Sequence, residues 1–158
     1  MKILFLCTHN SCRSILSEAI FNHLSSSEHK AFSAGSFPSG RVNSLAIAAL
    51  SQAGINTDGL SSKSTDDLRQ LNPDLVITVC DKAAGEACPL YFGEALRAHW
   101  NLQDPSALVG SEAEVQAAFT ACMDKIHERI SLFLSLPLGT LALDPQQLQA
   151  ALNGIGEL

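Results

Sequence analysis

Apolar residues run unbroken from Ile3 to Leu6, and from Arg13 onward they recur at Ile15, Leu16, Ala19, Ile20 and Leu24. A short apolar run fits a buried strand and the 3–4 spacing fits a helix, so the chain is expected to open with a strand over Lys2–Leu6, a loop, and a helix over Arg13–Leu24. The alternation continues. Lys30–Ala34 reads as a second short strand, and residues 41–53 as a helix with Val42, Leu45, Ala46, Ala49 and Leu50 on one face and Gly54 as its stop. The run DLVITVC over 74–80 is β-branched with almost no polar interruption, which suits a central parallel strand covered on both faces. Residues 96–102 are a fourth strand candidate. Residues 111–136 read as a long helix opened by a Ser111/Glu114 capping box, with Val115, Phe119, Cys122, Ile126, Ile130 and Phe133 as its apolar stripe. A last short helix is expected in the tail, capped by Asp144 with Pro145 in its first turn.

Strands alternating with helices, with no repeat or low-complexity tract, predict an α/β fold: an open four-stranded parallel sheet flanked by helices, binding ligands beyond the carboxyl ends of its strands. Cys7 and Cys80 both fall at such ends. The 158 residues fit one domain. Residues 1–136 form its body, and 137–158 are an extension that either belongs to it or faces a partner. At 46% hydrophobic and 16% charged, a chain of this length buries about 68–70% of its unfolded surface and needs no disulfide staples.

Charge and cysteine usage narrow the function. A net charge of −6 with scattered Lys and Arg offers no footprint for a phosphate backbone, so nucleic acid is not an expected partner. The apolar start ends at Thr8, short of a signal peptide's core of about 7–15 residues. The longest apolar stretch, 132–143, is broken by Pro137 and Gly139 and is too short for a bilayer. A cytoplasmic protein without a membrane partner is expected. Cys7, Cys12, Cys80, Cys88 and Cys122 are then thiols, and any disulfide among them is more in keeping with catalysis than with structure.

The chemistry concentrates where the first strand gives way to the first helix. Cys7-Thr8-His9-Asn10-Ser11-Cys12-Arg13-Ser14 reads C-x5-R-S, a pattern for which this composition predicts about 0.02 chance matches. Backbone amides in such a loop curl around a tetrahedral oxyanion, the helix N-terminus adds partial positive charge, and Arg13 closes the ring bidentately. The same field is expected to lower the pKa of Cys7, making it a nucleophile aimed at the oxyanion's central atom, with Ser14 hydrogen-bonded to the sulfur. The bland alternative takes Cys7 as a small hydrophobe and Arg13 as a solvated helix residue. The histidines lack metal-ligand spacing and no C-x2-C occurs, so neither a metal nor a cofactor is expected.

CTHNSCRS after an N-terminal strand resembles the phosphate-binding loop of the low-molecular-weight protein tyrosine phosphatases and their arsenate-reductase relatives. SAG at 33–35, VITVC at 76–80, CP at 88–89, HW at 99–100 and DP at 104–105 resemble the arsenate-reductase branch, and the matches run to about Leu136. The resemblance implies a phosphatase-like fold with flavodoxin-like strand order and an oxidoreductase of arsenic resistance. Arsenate is then held by residues Thr8, His9, Asn10, Ser11, Cys12 and Arg13, with phosphate or sulfate as competing anions. Cys7 attacks arsenic, Asp104 supplies a proton, Cys80 attacks the Cys7 sulfur to release arsenite, and Cys88 moves the disulfide outward to thioredoxin, or to glutaredoxin or glutathione. Were 80–88 helical, Cys80 and Cys88 would stand about 12 Å apart, beyond the roughly 7 Å a disulfide tolerates. The segment 81–87 must then loop back or unwind, which Gly85 and Pro89 favour.

Asn10, Glu18 and Ser33 match positions of a potassium site that braces the loop in thioredoxin-linked relatives. Lys63 stands where they carry a carboxylate, so its ammonium is expected to replace the ion and pair with Glu18. His9 replaces a common loop glycine and reads as a loop-shaping or entrance residue; Cys12 and Cys122 receive no redox role, and Trp100 reads as packing. The rival function is phosphomonoester hydrolysis through a phosphocysteine, but the tyrosine that typically follows DP in phosphatases is missing from Asp104-Pro105-Ser106-Ala107. A non-catalytic oxyanion sensor is a third reading. A monomer is expected.

Overall fold

A computed structural model describes residues 1–86, 92–139 and 143–158. Its elements in chain order are β1 (Lys2–Leu6), α1 (Arg13–Leu24), β2 (Lys30–Ala34), α2 (Ser44–Gln52), β3 (Leu75–Thr78), α3 (Asp81–Ala84), β4 (Leu96–His99), α4 (Glu112–Leu134) and α5 (Pro145–Gly156), with 3-10 turns at Thr65–Leu68 and Pro105–Ala107. The strands form one parallel sheet in the order β2-β1-β3-β4, the flavodoxin-like order expected. β1 and β3 lie inside it and are apolar at nearly every position because helices or loops cover both faces.

Alternate residues of β1 divide the core. Ile3 and Phe5, with Leu75 and Ile77 of β3, face the large cluster built with α1, α2, α4 and α5, whereas Leu4, Leu6 and Val76 face a small one with Ala34 and Phe92. Four aromatics knit the large cluster, with ring centroids 6.2 Å apart for Phe5–Phe21, 6.0 Å for Phe21–Phe133, 6.4 Å for Trp100–Phe133 and 6.4 Å for Phe5–Trp100. Tilted and edge-on pairs of this kind contribute about 0.5–1.5 kcal/mol each beyond their burial.

Helix ends differ from the sequence pattern where a side chain outcompetes it. α2 starts at Ser44 rather than residue 41 because the Asn43 side chain accepts from the backbone N–H groups of Leu45 and Ala46, which fixes Asn43 as the cap and leaves Val42 outside. The strand expected to reach Cys80 ends at Thr78, since Cys80 caps α3 through its sulfur. β4 ends at His99, ahead of the expected residue 102. In α4 the Ser111 side chain accepts from the Glu114 N–H and its hydroxyl donates to the Glu114 carboxylate, so the reciprocal half of the expected box is replaced by a side-chain bond.

α5 covers the outer edge of the sheet. Leu148, Leu152 and Ile155 join the core, Trp100 Nε1 donates to Leu152 O at 2.9 Å, and Gln149 Nε2 donates to Arg97 O on the edge strand at 2.7 Å. Covering an edge strand with a helix limits its use as a template by another chain. Gly156 lies so close to His99 O and the Trp100 ring that a Cβ there would collide with both. Arg129, only 5% exposed, donates to Asn101 O at 2.9 Å and Gly156 O at 3.3 Å, tying α4, the chain after β4 and the end of α5 together.

Candidate active site

The loop after β1 has its carbonyls occupied from outside. Thr8 O accepts from Phe37 N, His9 O from Ser39 N and the Ser62 hydroxyl, and Ser11 O from Asn43 N, at 2.8 to 3.1 Å. With the carbonyls turned outward, the amides are left for the loop's interior, the arrangement an anion-binding nest requires. Asn10 adopts left-handed φ 45° and is fully buried; its Nδ2 donates to Ser14 Oγ at 2.8 Å and its Oδ1 accepts from Lys63 N at 2.9 Å. Gly35 lets the end of β2 approach, since a Cβ there would run into the Cys7 and Thr8 carbonyl oxygens. Cys12, at the N-cap of α1, makes no side-chain capping bond, so the first-turn N–H groups stay available to a ligand.

Arg13 and Asp104, 91 residues apart in sequence, meet at this loop. Arg13 Nη1 donates to Leu102 O at 3.2 Å and Nη2 to Asp104 Oδ2 at 3.4 Å. The other Asp104 oxygen accepts from the Ser106 N–H at 3.0 Å and its hydroxyl at 2.6 Å. Position therefore separates this Asp-Pro from Asp144-Pro145, which only caps α5. His9 is exposed and its Nδ1 lies 3.1 Å from Phe37 O, beside the loop mouth.

β1 and β3 are neighbours, so Cys7 and Cys80 emerge side by side, both buried. The Cys7 thiol shifts in the direction opposite to the sequence expectation. Donation to Cys80 and burial push the Cys7 thiol well above the ordinary range, against the lowering pull of Arg13 and the Thr8 N–H. Cys80 is pulled down to about 5, first by the hydrogen bond from Cys7, then by the Ala83 N–H at 3.4 Å and by Thr8, whose hydroxyl lies 3.8 Å from its sulfur. Ser14, fully buried, is bonded to Asn10 rather than to the Cys7 sulfur as expected.

α3 is helical from Asp81 to Ala84, the geometry that the expected Cys80–Cys88 pairing would have to undo; Cys88 itself lies outside the described residues. Cys12 and Cys122 are pushed up to about 12 and about 11, mainly by burial, which keeps both protonated near neutrality. Lys63 Nζ sits 3.9 Å from Glu18 Oε2 and donates to Ser61 O at 2.9 Å, while the Ser33 hydroxyl donates to Glu18 at 2.5 Å. Burial raises the Glu18 pKa, and Lys63 and Ser33 oppose that rise. Among the described residues no cluster of His, Cys, Asp or Glu could hold a metal ion, and no helix is long and apolar enough to cross a membrane.

Residues 2–149 match the family described as low molecular weight phosphotyrosine protein phosphatase. The chain belongs to this family. Within the phosphatase family its similarity runs to arsenate reductases. It is 39% identical over 131 residues to an arsenate reductase of Bacillus licheniformis, covering 83% of this chain and 93% of the relative. An arsenate reductase solved in its oxidized state superposes with TM-score 0.68 at 25% identity, over 82% of this chain and 93% of that one. A thioredoxin-dependent arsenate reductase of Corynebacterium glutamicum has TM-score 0.58 at 29% identity, with 83% of this chain matching 62% of the other.

Proposed function

We propose that this member of the phosphatase family is a cytoplasmic, monomeric arsenate reductase with thioredoxin as its reductant. One observation carries the reading: the pairing of β1 with β3 brings a second buried thiol, Cys80, to the oxyanion loop, where its sulfur lies 3.8 Å from the Thr8 hydroxyl, next in sequence to Cys7. Hydrolysis through a phosphocysteine has no use for that thiol, whereas a two-electron reduction needs it. The likeness to arsenate reductases, one of them thioredoxin-dependent, supports the same reading.

Arsenate enters the amide nest of residues Thr8 to Arg13, with the Arg13 side chain beside it. Cys7 passes its proton to the Cys80 thiolate and attacks arsenic, while Asp104 protonates the oxygen that leaves as water. In balance, the Cys7 thiolate, dihydrogen arsenate and the Asp104 proton give a singly charged adduct with a sulfur–arsenic bond, and one water. The Cys80 sulfur then attacks the Cys7 sulfur; the sulfur–arsenic bond breaks with its electron pair going to arsenic, and the Cys80 proton goes to an arsenic oxygen. Dihydrogen arsenite, again singly charged, leaves behind a Cys7–Cys80 disulfide, and Asp104 recovers its proton from solvent. Cys88 next attacks Cys80, which frees Cys7 as a thiol and leaves a Cys80–Cys88 disulfide for thioredoxin to reduce. Failure of thioredoxin to restore turnover where glutaredoxin and glutathione succeed would reassign the donor.

Cys88→Ser tests the relay. The variant is expected to release one arsenite per chain and then stop, leaving oxidised Cys7 and Cys80 in peptide maps of alkylated thiols. Continued turnover would exclude the relay, and unchanged phosphomonoester hydrolysis without arsenite would favour the phosphatase.

Lys63 is assigned the place of a bracing cation, joined to Glu18 through its side chain and to Asn10 through its backbone N–H. Activity and Tm are accordingly expected to be the same in potassium and sodium salts at equal ionic strength. A steep rise with potassium alone would overturn that assignment.

A further inference from the structure

The chemistry above leaves the His99-Trp100 dipeptide at the end of β4 without a part. Trp100 turns to the large core and holds α5. His99 turns the other way, paired in register with Thr78 at the end of β3. With Nε2 protonated, His99 donates to Asp81 Oδ1 at 3.0 Å, and its Nδ1 lies 2.8 Å from the Thr78 hydroxyl oxygen and 3.2 Å from Thr78 O. Asn101 Nδ2 donates to the other Asp81 oxygen at 3.4 Å. Asp81 is the first residue of α3 and directly follows Cys80.

α3 is a single turn, too short to repay the cost of helix nucleation by its own hydrogen bonds. Ala83 is its one buried residue, and Ala83 also provides the N–H that binds the Cys80 sulfur. Outside contacts must therefore hold the turn if that bond is to persist. His99 and Ala83 line the same cavity as Cys7, together with Glu86 and Arg97, the other titratable side chains facing it.

We propose that His99, acting through Asp81 together with Asn101, is a positioning residue for Cys80: the clasp holds the first turn of α3 so that the Cys80 sulfur stays beside Cys7 for the disulfide-forming step. Its kinetic consequence rests on the arsenate-reductase reading; its geometric one does not. The His99–Asp81 pair is solvent-exposed, with side chains 36% and 80% accessible, so its effect is modest.

His99→Ala is expected to slow Cys7–Cys80 disulfide formation in a single arsenate turnover by about fivefold, the factor corresponding to ~1 kcal/mol. In arsenate-free protein the same change is expected to raise the pH midpoint for alkylation of Cys80 by iodoacetamide, read by peptide mapping. His99→Gln, whose amide again donates to Asp81, should recover both. A merely structural role would lower Tm and leave the Cys80 midpoint in place. Asp81→Ala breaks the same bond from its exposed end, and decides the matter if His99→Ala does not fold. A wild-type midpoint and rate in the folded variants would overturn the clasp. If the wild-type chain forms no disulfide with arsenate, the reductase reading fails while the alkylation midpoint still decides the clasp.

Discussion

Cys80→Ala is expected to abolish arsenite release and, in the same protein, to bring the Cys7 thiol back toward its ordinary range. Without Cys80 no sulfur attacks the Cys7 adduct, so the electron pair never reaches arsenic. Loss of arsenite below detection in a stopped assay is the expected result, and arsenite formation at even a tenth of the wild-type rate would contradict the second-thiol step. The change in Cys7 follows from the same pairing. Donation to Cys80 is the largest cause of its elevation, and Arg13 and the Thr8 N–H then act against burial alone.

The pair also makes folding stability depend on pH in a stated direction. Cys80 is ionised in the folded chain above about 5, whereas an ordinary thiol ionises near 9.0. Between those values the unfolded chain binds the extra proton, so this group's contribution to stability rises with pH; it is fully present above the unfolded value and lost as pH falls through the folded one. Cys7 has the opposite sign at higher pH, where the unfolded thiol ionises and the folded one resists. Tm of the wild-type chain, measured under reducing conditions, should therefore gain on Cys80→Ala from pH 5 to 9. Parallel profiles would mean that the Cys80 charge is not there.

Asp104→Asn is expected to reduce the rate of Cys7 adduct formation by about 10²–10⁴, the usual contribution of a positioned general acid. The loss should fall on kcat, with KM unchanged or lower. The amide nest remains intact, and Arg13 is released from the carboxylate that holds it at 3.4 Å, free to bind the anion. A pure rise in KM would instead identify Asp104 as a residue that only orients Arg13.

Several elements were legible residue by residue. Lys2–Leu6, Arg13–Leu24 and Lys30–Ala34 have the bounds their apolar spacing predicts, because in each the local pattern and the buried face coincide. The helix over 41–53 was overextended, since an apolar period cannot reveal that the Asn43 side chain caps the N–H groups two and three residues on. Arg129 fits the buried stripe of α4 between Ile126 and Ile130, yet its residue type argues against burial until Asn101 O and Gly156 O are seen to receive its guanidinium. His99 and Asp81 carried no signal beyond a dipeptide resemblance, because their pairing depends on the parallel register of β3 and β4.

From the sequence alone came the strand–loop–helix opening, the C-x5-R-S anion cradle and the presence of further thiols, all properties of short-range order along the chain. Folding decided which thiol stands beside the oxyanion loop. Cys7 and Cys80, far apart in sequence, come together only when β1 and β3 pair, and with Cys80 and burial both pushing the Cys7 thiol up, the lowering pull of Arg13 that the loop alone would impose no longer decides its direction.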